Sequence, residues 1–113
     1  MVCLGLNHRT APVEIRERFS VPSHRLQNAG KSIRELPGVE QCVVLSTCNR
    51  MEIYYWSDNP ENAREHILSH FLGDGRGKVD MASHFYCHQG AFALEHLCRV
   101  LSCLLYTSPS PRD

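Results

Sequence analysis

Apolar and polar positions along this chain switch repeatedly between a period of two and a helical period. Val2-Cys3-Leu4-Gly5-Leu6 is a short apolar run that predicts a first strand, ended by Asn7-His8. Pro12 then opens a helical turn through Val13-Glu14-Ile15-Arg16-Glu17-Arg18, because a proline's missing N–H costs nothing at a first helical position. Ser23 is a suitable N-cap for a helix from His24 to Leu36, with Leu26, Ile33 and Leu36 as packing residues and Pro37-Gly38 as its stop. Val39 to Ser46 and Met51 to Ser57 are two apolar, β-branched or aromatic runs joined by a short polar turn, the pattern of a β-hairpin.

Asp58-Asn59-Pro60 punctuates the chain before a helix from Glu61 to Leu72, and Gly73-Asp74-Gly75-Arg76-Gly77 reads as a loop. A short last strand falls between Met81 and Cys87. An amphipathic helix then runs from Ala91 to Leu101, with Phe92, Leu94, Leu97, Val100 and Leu101 as its apolar face. The order β-α-β-β-α-β with an extra helix predicts an α+β domain built on a ferredoxin-like antiparallel sheet flanked by helices.

Composition narrows this picture. The 113 residues suffice for one modest core and not for a second nucleotide-binding domain. Twelve basic and twelve acidic residues balance, so the chain as a whole carries no electrostatic footprint for nucleic acid. No charged segment precedes the Val2-Cys3-Leu4 run as in a signal peptide, and no stretch is long and apolar enough to span a membrane. The cysteines have irregular spacing and include no Cys-x-x-Cys pair, so free thiols in a reducing cytoplasmic compartment are expected. Cys3, Cys42, Cys87 and Cys98 read as core or near-core packing residues.

The candidate chemistry lies in the hairpin turn. Cys48 leaves a predicted strand into Thr47-Cys48-Asn49-Arg50, with hydrogen-bonding side chains beside it and a guanidinium two residues on. Only a thiolate attacks a carbonyl, and nearby positive charge favours that form. By spacing alone Cys48 is either a nucleophile or a small hydrophobe, and Arg50 is equally a solvated turn residue.

Three blocks in order resemble the N-terminus of the glutamyl-tRNA reductase family. They are Gly5-Leu6-Asn7-His8-Arg9-Thr10-Ala11-Pro12-Val13-Glu14-Ile15-Arg16-Glu17, the stretch from Leu36-Pro37-Gly38-Val39 into Val44-Leu45-Ser46-Thr47-Cys48-Asn49-Arg50-Met51-Glu52-Ile53-Tyr54, and His88-Gln89 followed by His96-Leu97-Cys98-Arg99-Val100. The resemblance implies NADPH-dependent reduction of glutamyl-tRNA to glutamate-1-semialdehyde, on the route to tetrapyrroles. It assigns Cys48 as the nucleophile that forms a thioester, Arg50 as the partner of the glutamate carboxylate, Thr47 and Asn49 as orienting hydrogen-bond groups, and His96 as an acid–base assistant. Glutamyl-tRNA is the implied partner, and the full-length family is a homodimer. Met51, where threonine or valine is common in the family, is expected to point away from Cys48. Cys98 replaces a bulkier apolar residue on the last helix.

No Gly-x-Gly-x-x-Gly fingerprint occurs, so NADPH is expected to bind the full-length parent and not this chain. No metal site is expected. His66 and His70 share a helix face and read as solvated, and the spacing of His84, Cys87 and His88 fits no standard zinc site. His8 is read as fixing its turn through backbone hydrogen bonds, with lining the site as the alternative. After Ser102 the family pattern stops, and Cys103-Leu104-Leu105-Tyr106-Thr107-Ser108-Pro109-Ser110-Pro111-Arg112-Asp113 resembles a translated sequencing adapter. The expected organisation is therefore a truncated N-terminal catalytic domain over residues 1–102 and a non-native tail over 103–113, with the fragment unable to complete the reduction. A non-catalytic ferredoxin-like binding module with an incidental Cys48 is the alternative.

Overall fold

Strand β1 (Val2–Asn7) sits inside the sheet and is covered on both faces, which is why its apolar run is nearly continuous. The computed structural model describes residues 1–72 and 83–107. After β1 come α1 (Val13–Phe19), a 3-10 turn (Ser23–Arg25), α2 (Leu26–Arg34), β2 (Gln41–Ser46), β3 (Arg50–Trp56), α3 (Pro60–Leu72), β4 (Tyr86–Gln89) and α4 (Ala91–Thr107). The four strands form one antiparallel sheet in the order β2-β3-β1-β4, the ferredoxin-like arrangement expected from the pattern.

The period of two divides this sheet into unlike faces. Val2, Leu4, Leu6, Met51, Ile53 and Tyr55 point to the larger core, closed by Phe19 of α1, Ile33 of α2, and Ala63 and Ile67 of α3. Met51 is buried there, pointing away from the turn as expected. The opposite face carries Cys3, Tyr54, Glu52, Tyr86 and His88, and α4 lies across it through Ala93 and Leu97.

Four expectations need correction. Ser23 does not cap α2: after Pro22 the chain closes a tighter turn first, with Arg25 N–H donating to the Pro22 carbonyl (2.8 Å), and α2 starts at Leu26 with no side-chain cap. On α4 the inward residues are Ala93, Leu97 and Val100, whereas Phe92, Leu94 and Leu101 are exposed, because the helix meets the sheet along one narrow stripe. Cys98 is exposed on the same helix and is not a packing residue. Helix α4 also continues six residues past the expected Leu101. The expected loop at 73–77 and the start of the expected last strand at 81–82 lie outside the described residues. Gly38 holds φ +85°, a left-handed turn that side-chain-bearing residues resist, and so carries the chain from α2 into β2.

Candidate active site

The site is built at the end of the sheet where Asn7 faces Arg50 and Ser46 faces Met51. Two turns meet there. In the first, Asn7 Oδ1 accepts the N–H groups of Arg9 (2.9 Å) and Thr10 (3.2 Å), and Thr10 Oγ1 accepts the Asn7 N–H (3.0 Å). Asn7 and Thr10 thus fix this turn, and His8 is an exposed residue that lines the adjoining cleft, contrary to the favoured expectation. In the second turn, Thr47 N–H donates to the Arg50 carbonyl (2.8 Å) and Thr47 Oγ1 accepts the Asn49 N–H (3.3 Å). Cys48 is exposed at its tip. Arg16 clasps both turns, with Nε donating to the Ala11 carbonyl (3.3 Å) and Nη1 to the Cys48 carbonyl (3.0 Å). A guanidinium therefore lies against the thiol-bearing turn from an element distant in sequence.

The chemical centre is Glu52, which has no exposed surface. Its Oε1 accepts the Tyr54 hydroxyl (2.6 Å), and its Oε2 accepts both the Tyr86 hydroxyl and His96 Nε2–H in short hydrogen bonds. Arg50 Nη1 stands 3.6 Å from the same Oε2. Burial by itself would raise this carboxyl's pKa; the hydrogen bonds from Tyr54, Tyr86 and His96 outweigh it and hold Glu52 below the ordinary glutamate value. Burial, with the Glu52 charge beside them, pushes the Tyr54 and Tyr86 hydroxyls up, so both stay protonated donors.

Gly5 makes this meeting possible. It faces Glu52 on one side and Tyr86 on the other, and having no side chain it lets them touch across β1. A Cβ there would lie 2.7 Å from the Met51 carbonyl oxygen and 2.8 Å from Glu52 Cγ. The His96 ring packs against His88, with centroids 4.6 Å apart, and against the Tyr86 ring at 5.3 Å. Burial, and then the neighbouring His96, hold His88 below the usual histidine pKa.

Cys3, Glu52 and His96 bring possible metal-ligand atoms within 4.8 Å of one another. Burial, and then the Glu52 charge, push the Cys3 thiol up to about 12, and the Arg50 cation already neighbours the carboxylate. Both Glu52 oxygens accept hydrogen bonds there, from Tyr54 on one and from Tyr86 and His96 on the other. Of the histidines weighed from sequence as possible metal ligands, His84 sits with Nδ1 at 3.0 Å from the Thr10 carbonyl, while His66 is half-buried and His70 exposed on α3.

Of the site residues expected from sequence, Arg50 and His96 come together on one carboxylate oxygen. Thr47, Cys48 and Asn49 form the neighbouring turn. Cys48 is not among the residues lining the cleft of about 320 Å³ that Arg50 and His96 share with Asn7, His8, Arg9 and Arg99. The sequence reading missed Glu52, Tyr54, Tyr86 and Arg16. A signal for the first two was present: within Arg50-Met51-Glu52-Ile53-Tyr54-Tyr55, the polar residues alternate with the apolar ones and define one strand face. Nothing local to Arg16 or Tyr86 marks them, because their partners are on other elements.

Comparison with known proteins adds the family context. The family model described as "Glutamyl-tRNAGlu reductase, N-terminal domain" matches residues 4–105. The chain is 81% identical over 102 residues to the glutamyl-tRNA reductase of Akkermansia muciniphila, covering 90% of this chain and 30% of that protein. It is 41% identical over 102 residues to the glutamyl-tRNA reductase of a Synechococcus species, covering 88% of this chain and 23% of the relative. In structure it is similar to the glutamyl-tRNA reductase from Methanopyrus kandleri, with a TM-score of 0.57 and 29% identity over 89% of this chain and 22% of the other. The chain thus spans under a third of the length of these relatives.

Proposed function

The chain belongs to the glutamyl-tRNA reductase N-terminal domain family, and from that premise we propose that it carries the acylation half of that enzyme's reaction on the tetrapyrrole route, with Cys48 as the nucleophile. The convergence of Arg50 and His96 on buried Glu52, at the sheet end that bears the Cys48 turn, is the observation that carries the reading.

The Cys48 thiolate attacks the ester carbonyl carbon of glutamyl-tRNA. A carbon–sulfur bond forms, the ester carbon–oxygen bond breaks, and the departing ribose oxygen takes up a proton. His96 is the group to supply that proton, with the Glu52 carboxylate behind its Nε2 fixing the orientation of the ring. Arg50 presents its planar fork to the glutamate carboxylate while Glu52 holds the guanidinium from the other side. Thr47 accepts the Asn49 N–H and retains its own hydroxyl proton to donate, so Thr47 and Asn49 orient the aminoacyl group from a pre-formed turn.

We assign NADPH to the full-length parent: the described sheet is wholly antiparallel, and the sequence has no glycine-rich strand-to-helix turn of the dinucleotide-binding kind. We read residues 1–102 as the native catalytic portion and residues 103–113 as a non-native tail.

Mass spectrometry of the chain after incubation with glutamyl-tRNA and rapid acid quenching tests the assignment. The expected result is a glutamyl adduct on Cys48 that is absent in Cys48→Ser. Equal labelling of exposed Cys98, or no adduct even in a protein restored to the length of its relatives, would overturn it in favour of a non-catalytic binding module.

A further inference from the structure

The chain is electrically neutral as a whole, yet one cleft is not. Arg9, Arg50, Arg99, His8 and His96 converge on a space of about 320 Å³ whose other walls are Asn7, Val100 and Cys103, the last being the first residue of the tail read as non-native, and no aspartate or glutamate is among its lining residues. Gathering guanidiniums around one concavity is self-repulsive unless an anion enters it. Glu52, beneath the floor, compensates the inner cation Arg50, whose side chain is only 12% exposed. The outer two are not compensated in that way. Arg9 is exposed on the turn that Asn7 Oδ1 holds in place. Arg99 meets Glu95 one helical turn away at 2.5 Å, but both side chains are more than half exposed, where such a pair contributes little and exchanges readily.

We propose that this cleft is a two-anion subsite in which Arg50 takes the acyl carboxylate and Arg9 and Arg99 hold the phosphodiester of the nucleotide that carries the acyl group. The inference rests on the proposed acylation reading and adds residues to it. A glutamyl ester of a 3′-terminal nucleotide has this charge layout: a carboxylate at one end and, across the ribose, a phosphodiester. The volume admits a nucleotide-sized ligand and not a helical nucleic acid, so only an unpaired 3′ end fits. Guanidinium is the side chain suited to both anions because its fork matches carboxylate and phosphate alike. Overall neutrality then has a physical meaning: the cations are placed at the acyl end of the substrate and not spread to attract nucleic acid anywhere on the surface.

The test is an NMR titration of the 113-residue chain with the 5′-phosphorylated trinucleotide CCA, repeated at several salt concentrations. Shifts are expected at His8, Arg9 and Arg99. Arg9→Gln and Arg99→Gln should each weaken binding roughly threefold to tenfold, and each should flatten the salt dependence by about 0.7 in log–log slope, the value for one lost single-strand phosphate contact. Arg25→Gln and Arg34→Gln, both exposed and at the two ends of α2, which packs on the sheet face opposite to α4, serve as controls and should change neither. All four positions are exposed, so the variants keep the fold. Unchanged affinity and slope in the Arg9→Gln, Arg99→Gln double variant would overturn the proposal, as would equal losses in the two controls. Because the titration involves no acyl transfer, its failure alongside a Cys48 adduct would remove this subsite alone.

Discussion

A carboxylate with no exposed surface has to be compensated where it lies, and at the residue scale that requirement organises the whole centre of this protein. Glu52 receives two tyrosine hydroxyls, one imidazole N–H and a nearby guanidinium. Replacing it by glutamine removes the charge those four groups are arranged around, and Glu52→Gln should cost about 2–4 kcal/mol in denaturant unfolding. The same residue sets an acid limit. Its folded pKa lies below the ordinary value, so its contribution to stability is full above the unfolded-state pKa and is lost as the pH falls through the depressed folded one. Unfolding measured across that range should show an acid-side decline in the wild type that is reduced in Glu52→Gln. Gly5→Ala should destabilise by about 1–3 kcal/mol and disturb the Glu52 contacts, because its Cβ would meet backbone at 2.7 Å. Melting temperature together with the imidazole signal of His96 would report both effects.

At the scale of elements, the hairpin and its turn were legible because β-branched runs flank a short polar break. Helices α1 and α3 were equally legible, the first from Pro12 ahead of it and the second from the Asp58-Asn59-Pro60 break. The start of α2 was not, since a 3-10 turn after Pro22 takes the place of the cap that Ser23 suggested. Nor was the clasp between the two site turns. Arg16 joins the Ala11 and Cys48 carbonyls, a contact across 32 residues that no local pattern encodes. Arg16→Ala should therefore leave stability within about 1 kcal/mol while lowering the rate of Cys48 acylation by several-fold. Retention of the full rate would show that the turn holds its position without α1.

For the whole molecule, the sheet's unequal faces decide where substitution is tolerated. Phe92, at 73% exposed, and Leu94, at 55%, belong to α4 but not to its packing stripe. Phe92→Gln and Leu94→Gln are expected to shift unfolding by no more than about 0.5 kcal/mol, whereas Val100→Ala, on the buried side, should cost about 1–3 kcal/mol. Chemical denaturation of the three variants separates these cases. Among the described residues no helix is long and apolar enough to cross a membrane.

The amino-acid sequence by itself determined the α+β class, the strand order through its β-α-β-β-α-β pattern, the hairpin turn that presents Cys48, and the family to which the chain belongs. These depend on local period, turn chemistry and contiguous motif blocks, all of which act over a few residues. Tertiary structure alone decided that Glu52 is the buried junction of Arg50, Tyr54, Tyr86 and His96, that Arg16 grips the turn bearing Cys48, and that Arg9 and Arg99 share a cleft with Arg50. Each of those relations joins strands or helices far apart in the chain, and each depends on register across β1, where Gly5 leaves the gap through which Glu52 and Tyr86 meet.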